Sequence, residues 1–89
     1  MTAAIAHQLE CFGFLATAEE ELQAAVKLFG SAEALRDKIQ APMTDYERAE
    51  YDQVVARVRS MLAETEFKTL WAEGRSMTME QAIGMALEE

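Results

Sequence analysis

Apolar positions in this chain recur every three or four residues from end to end, and nowhere alternate with the period of two that a half-buried strand requires. Five helical segments follow. The spacing predicts a first helix over 2–16, with Ile5, Leu9, Phe12 and Ala16 on one face. Cys11, Phe14 and Leu15 widen that stripe until the helix is apolar over more of its circumference than one neighbour can cover. Thr17 with Glu20 fits a capping box, which starts a second, longer helix near Ala18. Its residues Leu22, Ala25, Val26 and Phe29 form one stripe, and Leu28, Ala32, Leu35 and Ile39 form another displaced around the axis, so it is expected to pack on two sides.

Pro42 lacks the N–H that a helix needs and biases Ala41 away from helical angles, which stops the second helix near Gln40. Thr44 with Glu47 then signals a third helix, bearing Tyr51, Val54, Val55, Val58, Met61 and Leu62 on one side. Asp45 and Glu47 at its start and Arg57 and Arg59 near its end complement the macrodipole. A short fourth helix carries Phe67, Leu70 and Trp71, a spacing that places Trp71 in the core between the fourth and third helices, and Gly74 suits the left-handed turn that would close it. Thr78 with Gln81 opens a fifth, with Met79, Ala82, Ile83, Ala86 and Leu87 together. The class is all-α. No linker or low-complexity segment divides residues 1–89, so a single helical domain is expected, with a hairpin over 2–40 and three further helices over 44–88.

Composition narrows the roles open to such a domain. At 51% hydrophobic and 27% charged residues, the chain has enough apolar surface to fold, while 89 residues allow only a modest core. Sixteen acidic against eight basic residues leave a net charge of -8, and the one local concentration of cations, Arg48 with Arg57 and Arg59, is surrounded by acids. Direct binding to nucleic acid or an anionic membrane is therefore not expected. The lone Cys11 has no partner for an internal disulfide, which suits a reducing compartment, and cytoplasm is the expected location. No basic segment precedes the apolar opening from Met1 to Leu9, and no uncharged run reaches the roughly 20 residues a bilayer crossing requires. The chain reads as a piece that opens within a helix.

Candidate chemistry is sparse. His7 and Cys11, four apart, share a helix face and would make half a zinc site, but no second His or Cys exists to complete it. Glu19, Glu20 and Glu21 fit the first turn of a helix, where the dipole favours acids, better than a cation site. Ser31 after Gly30 lacks the following glycine of a nucleophile elbow, and Gly13, Gly30, Gly74 and Gly84 are too scattered for a phosphate-binding loop. Met43, Met61, Met77, Met79 and Met85 suit core filling more than an adaptable binding surface. No catalytic, cofactor-binding or metal-binding residue is assigned.

Leu9, Phe12, Gly13, Ala16, Ala25, Phe29 and Ala32 fall at the spacing of the tetratricopeptide signature, in which small and large residues pack two antiparallel helices. In that pattern Gly13 and Ala25 let the helices approach while Phe12 and Phe29 fill between them, although Leu9 stands where the repeat often has tryptophan. Together with the run Phe29 to Arg36, then Pro42, Glu47-Arg48, Phe67, Trp71, Gly74 and Met79 to Leu87, this resembles the C-terminal end of large bacterial signal-transduction ATPases and LuxR-type transcriptional regulators, over residues 9–88. The resemblance implies a tetratricopeptide-like hairpin followed by three capping helices, with a non-catalytic role in assembly or sensing. The expected partner is protein, either the preceding helical repeats of a parent chain or a second copy, giving a homodimer when isolated. Ile5, Leu9, Phe12 and Leu15 are the expected contact face. Two alternatives remain, a stand-alone dimeric adaptor and a small-molecule sensor, the latter favoured by any cavity lined by Trp71 together with charged side chains.

Overall fold

A computed structural model describes residues 2–88, leaving Met1 and Glu89 outside. Five helices succeed one another: α1 (Thr2–Ala18), α2 (Leu22–Ile39), α3 (Asp45–Ser60), α4 (Glu64–Ser76) and α5 (Met79–Glu88), with no strand among the described residues. The fold is all-α. None of these helices is long and apolar enough to cross a membrane.

The second helix is the axis of the molecule because its two apolar stripes are used on opposite sides. Val26, Leu28 and Phe29 are wholly enclosed, joined by Val58 of α3. On one side α1 runs back along α2: Gly13 lies against the Phe29 ring, where any Cβ would collide with it, and Glu10, three residues earlier, meets Arg36, seven residues later. That inverse order makes the pair an antiparallel hairpin. On the other side α4 crosses α2 through glycines. A Cβ on Gly30 would come within 2.6 Å of the Trp71 carbonyl oxygen, and one on Gly74 would strike the Lys27 backbone. Both have helical rather than left-handed φ, so what these positions demand is space. Ser31 Oγ seals the crossing by donating to the Gly74 carbonyl at 2.9 Å. The third helix adds Tyr51 and Val58 to the core, and α5 adds Ala82 and Ala86.

Two of the capping boxes form as expected. Glu47 N donates to Thr44 Oγ1 at 3.2 Å while Thr44 N donates to Glu47 Oε1 at 3.0 Å. Gln81 N donates to Thr78 Oγ1 at 3.1 Å, with the reciprocal bond at 2.9 Å. The third does not form. The first helix continues to Ala18, and Thr17 Oγ1 is occupied with the Gly13 carbonyl at 2.8 Å, so α2 begins after Glu21 with no side-chain cap. The turn is closed by backbone instead. Glu20 takes a left-handed φ of 62°, its N–H donates to the Thr17 carbonyl, and Glu21 N–H donates to the Ala16 carbonyl. This is the Schellman arrangement with glutamate where glycine is usual. Gln40 repeats it at the end of α2, with φ 56° and bonds from Gln40 to Asp37 and from Ala41 to Arg36.

Gly74 is likewise not the terminator that its sequence position suggests. It lies inside α4, which runs on to Ser76, because the glycine is spent on the approach to Lys27. Trp71 is also placed differently from expectation, half-buried against α2 rather than enclosed between α4 and α3. Its ring stacks on Phe67 at 5.4 Å between centroids, and its Nε1 donates to Glu33 at 3.0 Å.

Candidate functional site

The outer side of α1 carries no Asp, Glu, Lys or Arg. Its exposed residues include Ala4, His7, Gln8, Cys11, Leu15 and Ala18, and among its described side chains the one acid, Glu10, is buried. Every other helix places Asp, Glu, Lys or Arg on its exposed side. Of the four residues expected to form the contact face, Leu9 is a correction: it is 2% exposed, in the core with Ala82 and Ala86, because those small residues let α5 lie close against α1. Ile5 and Phe12 are half-buried on the wall of a shallow groove of about 170 Å³ between α1 and α5, opposite Ile83 and Leu87. Leu15 is 47% exposed and Leu87 75%. The surplus apolar surface thus spans the two terminal helices, and α5 takes up part of what the sequence left uncovered.

Behind this face is a charge cluster that the sequence did not announce. Arg36 Nε and Nη2 donate to the two Glu10 carboxylate oxygens at 2.6 and 2.9 Å, and Nη1 donates to the Ala41 carbonyl at 3.0 Å. Both side chains are buried, and the Glu10 hydrogen bond holds the guanidinium pKa above its usual value. His7 Nδ1 lies 3.2 Å from Glu47 Oε2, linking α1 to the start of α3. Cys11 Sγ is 3.6 Å from His7 Nε2, as their spacing predicts. Partial burial, then Glu10, Glu50 and Glu47, push the thiol pKa up, which favours its protonated form. Among the described residues no three His, Cys, Asp or Glu side chains are arranged to hold a metal ion. Ser31 is buried with its hydroxyl committed to Gly74, and Glu19, Glu20 and Glu21 form the exposed α1–α2 turn rather than the first turn of a helix.

On the opposite side a second groove, of about 510 Å³, lies over α2 between α3 and α4. Phe67 and Trp71 form one wall and Val55 the other, while Arg48, Arg59 and Arg75 surround the opening. Glu33 organises the α4 side, accepting from Trp71 Nε1 at 3.0 Å and Arg75 Nη1 at 2.5 Å, and Arg75 Nη2 donates to Asp37 at 3.1 Å. Arg59 pairs with Glu64 and sits 5.0 Å above the Phe67 ring. At the groove's inner end Tyr51 packs edge-on against Phe29, its hydroxyl enclosed without a hydrogen-bond partner. Comparison with protein-family models, with curated proteins and with solved structures returns no match.

Proposed function

We propose that this chain is a non-catalytic protein-interaction module that meets a helical partner through the outer side of α1 and its groove with α5. The observation that carries this is the lack of any Asp, Glu, Lys or Arg among the exposed residues of α1, which are Ala, Gln, Cys, Leu and one His. A helix of that character is stable in water only at a cost, and covering it with another apolar helix removes that cost. Fully burying a large apolar side chain contributes about 1.5–3 kcal/mol, so covering Leu15 and Leu87, 47% and 75% exposed, with the exposed edges of Ile5, Phe12 and Ile83 favours such a contact. In an array the cover is the preceding hairpin; for the isolated chain it is a second copy, forming a homodimer or a stand-alone dimeric adaptor. A place at the C-terminal end of a bacterial transcriptional regulator or signalling ATPase rests on the resemblance over residues 9–88 alone.

The test is the mass of the isolated chain by light scattering, beside that of a Leu15→Glu variant. Leu15 contributes little to the monomer's own core, so the substitution leaves helicity and melting temperature intact while separating a dimer into single chains. Phe12→Asp is a poorer probe because that side chain already packs against the monomer's core. Equal masses for parent and Leu15→Glu chains rule this face out as the dimer contact.

A further inference from the structure

We propose that the groove bounded by α2, α3 and α4 binds a small monocarboxylate with an apolar body, its charged end on Arg48 beside Tyr51, whose enclosed hydroxyl shifts to meet it on binding, and its body along Val55, Phe67 and Trp71. The site goes beyond the α1 contact and lies on other elements. It exists because α4 is drawn onto α2 at Gly30 and Gly74, whereas α3 is held by Tyr51 and Val58 and by the His7–Glu47 contact. The two helices meet near their connection, where Arg59 pairs with Glu64, and diverge beyond it. Next to the groove lies a further recess of about 330 Å³ that reaches Met43, and Glu33, Arg48 and Tyr51 line both.

Tyr51 is the sharpest indication. It is 6% exposed and its hydroxyl meets no partner, a standing cost that an incoming acceptor would relieve. Burial, followed by the charges of Glu33 and Glu10, pushes its pKa above the ordinary phenol value, so it remains a donor across the physiological range. The surrounding charge selects the ligand. In a chain of net charge -8, Arg48, Arg59, Lys68 and Arg75 face the groove against Glu33 and Asp52. Arg75 is committed to Glu33 and Asp37, and Arg59 to Glu64, while Arg48 and Lys68 have only loose 3.8 Å contacts, with the exposed Asp52 and Glu64 respectively. Of these two, Arg48 lines both the groove and the recess together with Tyr51, and that one cation with one neutral donor matches a single carboxylate. The repulsion that Glu33 and Asp52 exert on any anion would weigh more heavily on a dianion such as phosphate.

Trp71 is the chain's one tryptophan, so its emission reports directly on the groove. Octanoate titrated into the full chain is expected to shift that emission saturably, and octanamide, with the same body but no charge, to bind about tenfold more weakly. Arg48→Gln and Tyr51→Phe should each weaken octanoate by about tenfold. Without ligand, Tyr51→Phe should melt at a higher temperature than the parent, having lost the orphan hydroxyl. An emission that does not respond, affinities unchanged in both variants, or a lower melting temperature for Tyr51→Phe would each overturn the proposal.

Discussion

Glu10 and Arg36 show how much of this molecule's specificity rests on single side chains. Both are taken out of water, and their attraction offsets that loss because the bidentate geometry and the bond to the Ala41 carbonyl satisfy most of the guanidinium. Removing either partner strands the other charge in the core, so Glu10→Ala or Arg36→Ala is expected to cost about 3–5 kcal/mol in urea unfolding. That is a large fraction of the roughly 5–10 kcal/mol a chain of this size possesses. The double variant Glu10→Leu with Arg36→Met should recover most of the loss, and a double variant as unstable as the sum of its parts would show the two sites acting independently. Nothing in the sequence joins these residues, which lie 26 positions apart and meet only through the register of the hairpin. Tyr51 was legible in half. Helical spacing marked its ring as core, but whether a hydroxyl finds a partner depends on neighbours that only the folded chain supplies.

At the scale of elements, boundaries were legible wherever side-chain chemistry is local. Pro42 and the pairs Thr44–Glu47 and Thr78–Gln81 each act within three or four residues, and each marks its boundary as expected. The boundary between α1 and α2, which is made by backbone alone, was not legible. Glu20 and Gln40 adopt left-handed angles without the glycine that normally signals them, while the glycines serve other ends. These displaced roles make a linked set of expectations for thermal melts. Gly84 lies in α5 with open space where a Cβ would go, so Gly84→Ala should stabilise by about 0.5–1 kcal/mol through reduced backbone entropy. Gln40→Gly should stabilise by a similar amount, roughly 0.5–1 kcal/mol, by relieving the left-handed strain. Gly74→Ala should destabilise by at least about 1–3 kcal/mol, since the atoms in the way are the Lys27 backbone and cannot swing aside. Gly74→Ala melting like the parent would mean that α4 does not sit this close to α2.

For the whole molecule, α2 is a shared wall and α3 the least embedded of the longer helices. The largest fully enclosed side chains are Val26, Leu28 and Phe29 of α2 with Val58 of α3, whereas most of α3 faces water. Amide hydrogen exchange should therefore be slowest around Leu28 and Phe29, requiring global unfolding, and at least about tenfold faster through Gln53 to Arg57. Equal protection in the two segments would contradict a separately opening α3. The arrangement was only partly legible for a simple reason: periodicity tells which face of a helix is buried but not against which neighbour. Trp71 belonged to a clear apolar stripe, yet its partner proved to be Glu33 on α2, not the adjoining third helix.

The paired glycines also bear on ancestry. Two main chains that touch at Gly30 and Gly74 leave no room for drift at either position unless the helices separate, and the Ser31 hydroxyl fixes the same spot from the side. A Gly-Ser step answered by a glycine 43 residues beyond the serine is thus tied to one backbone crossing, as an apolar stripe is not, and distant cousins that share the crossing should carry it.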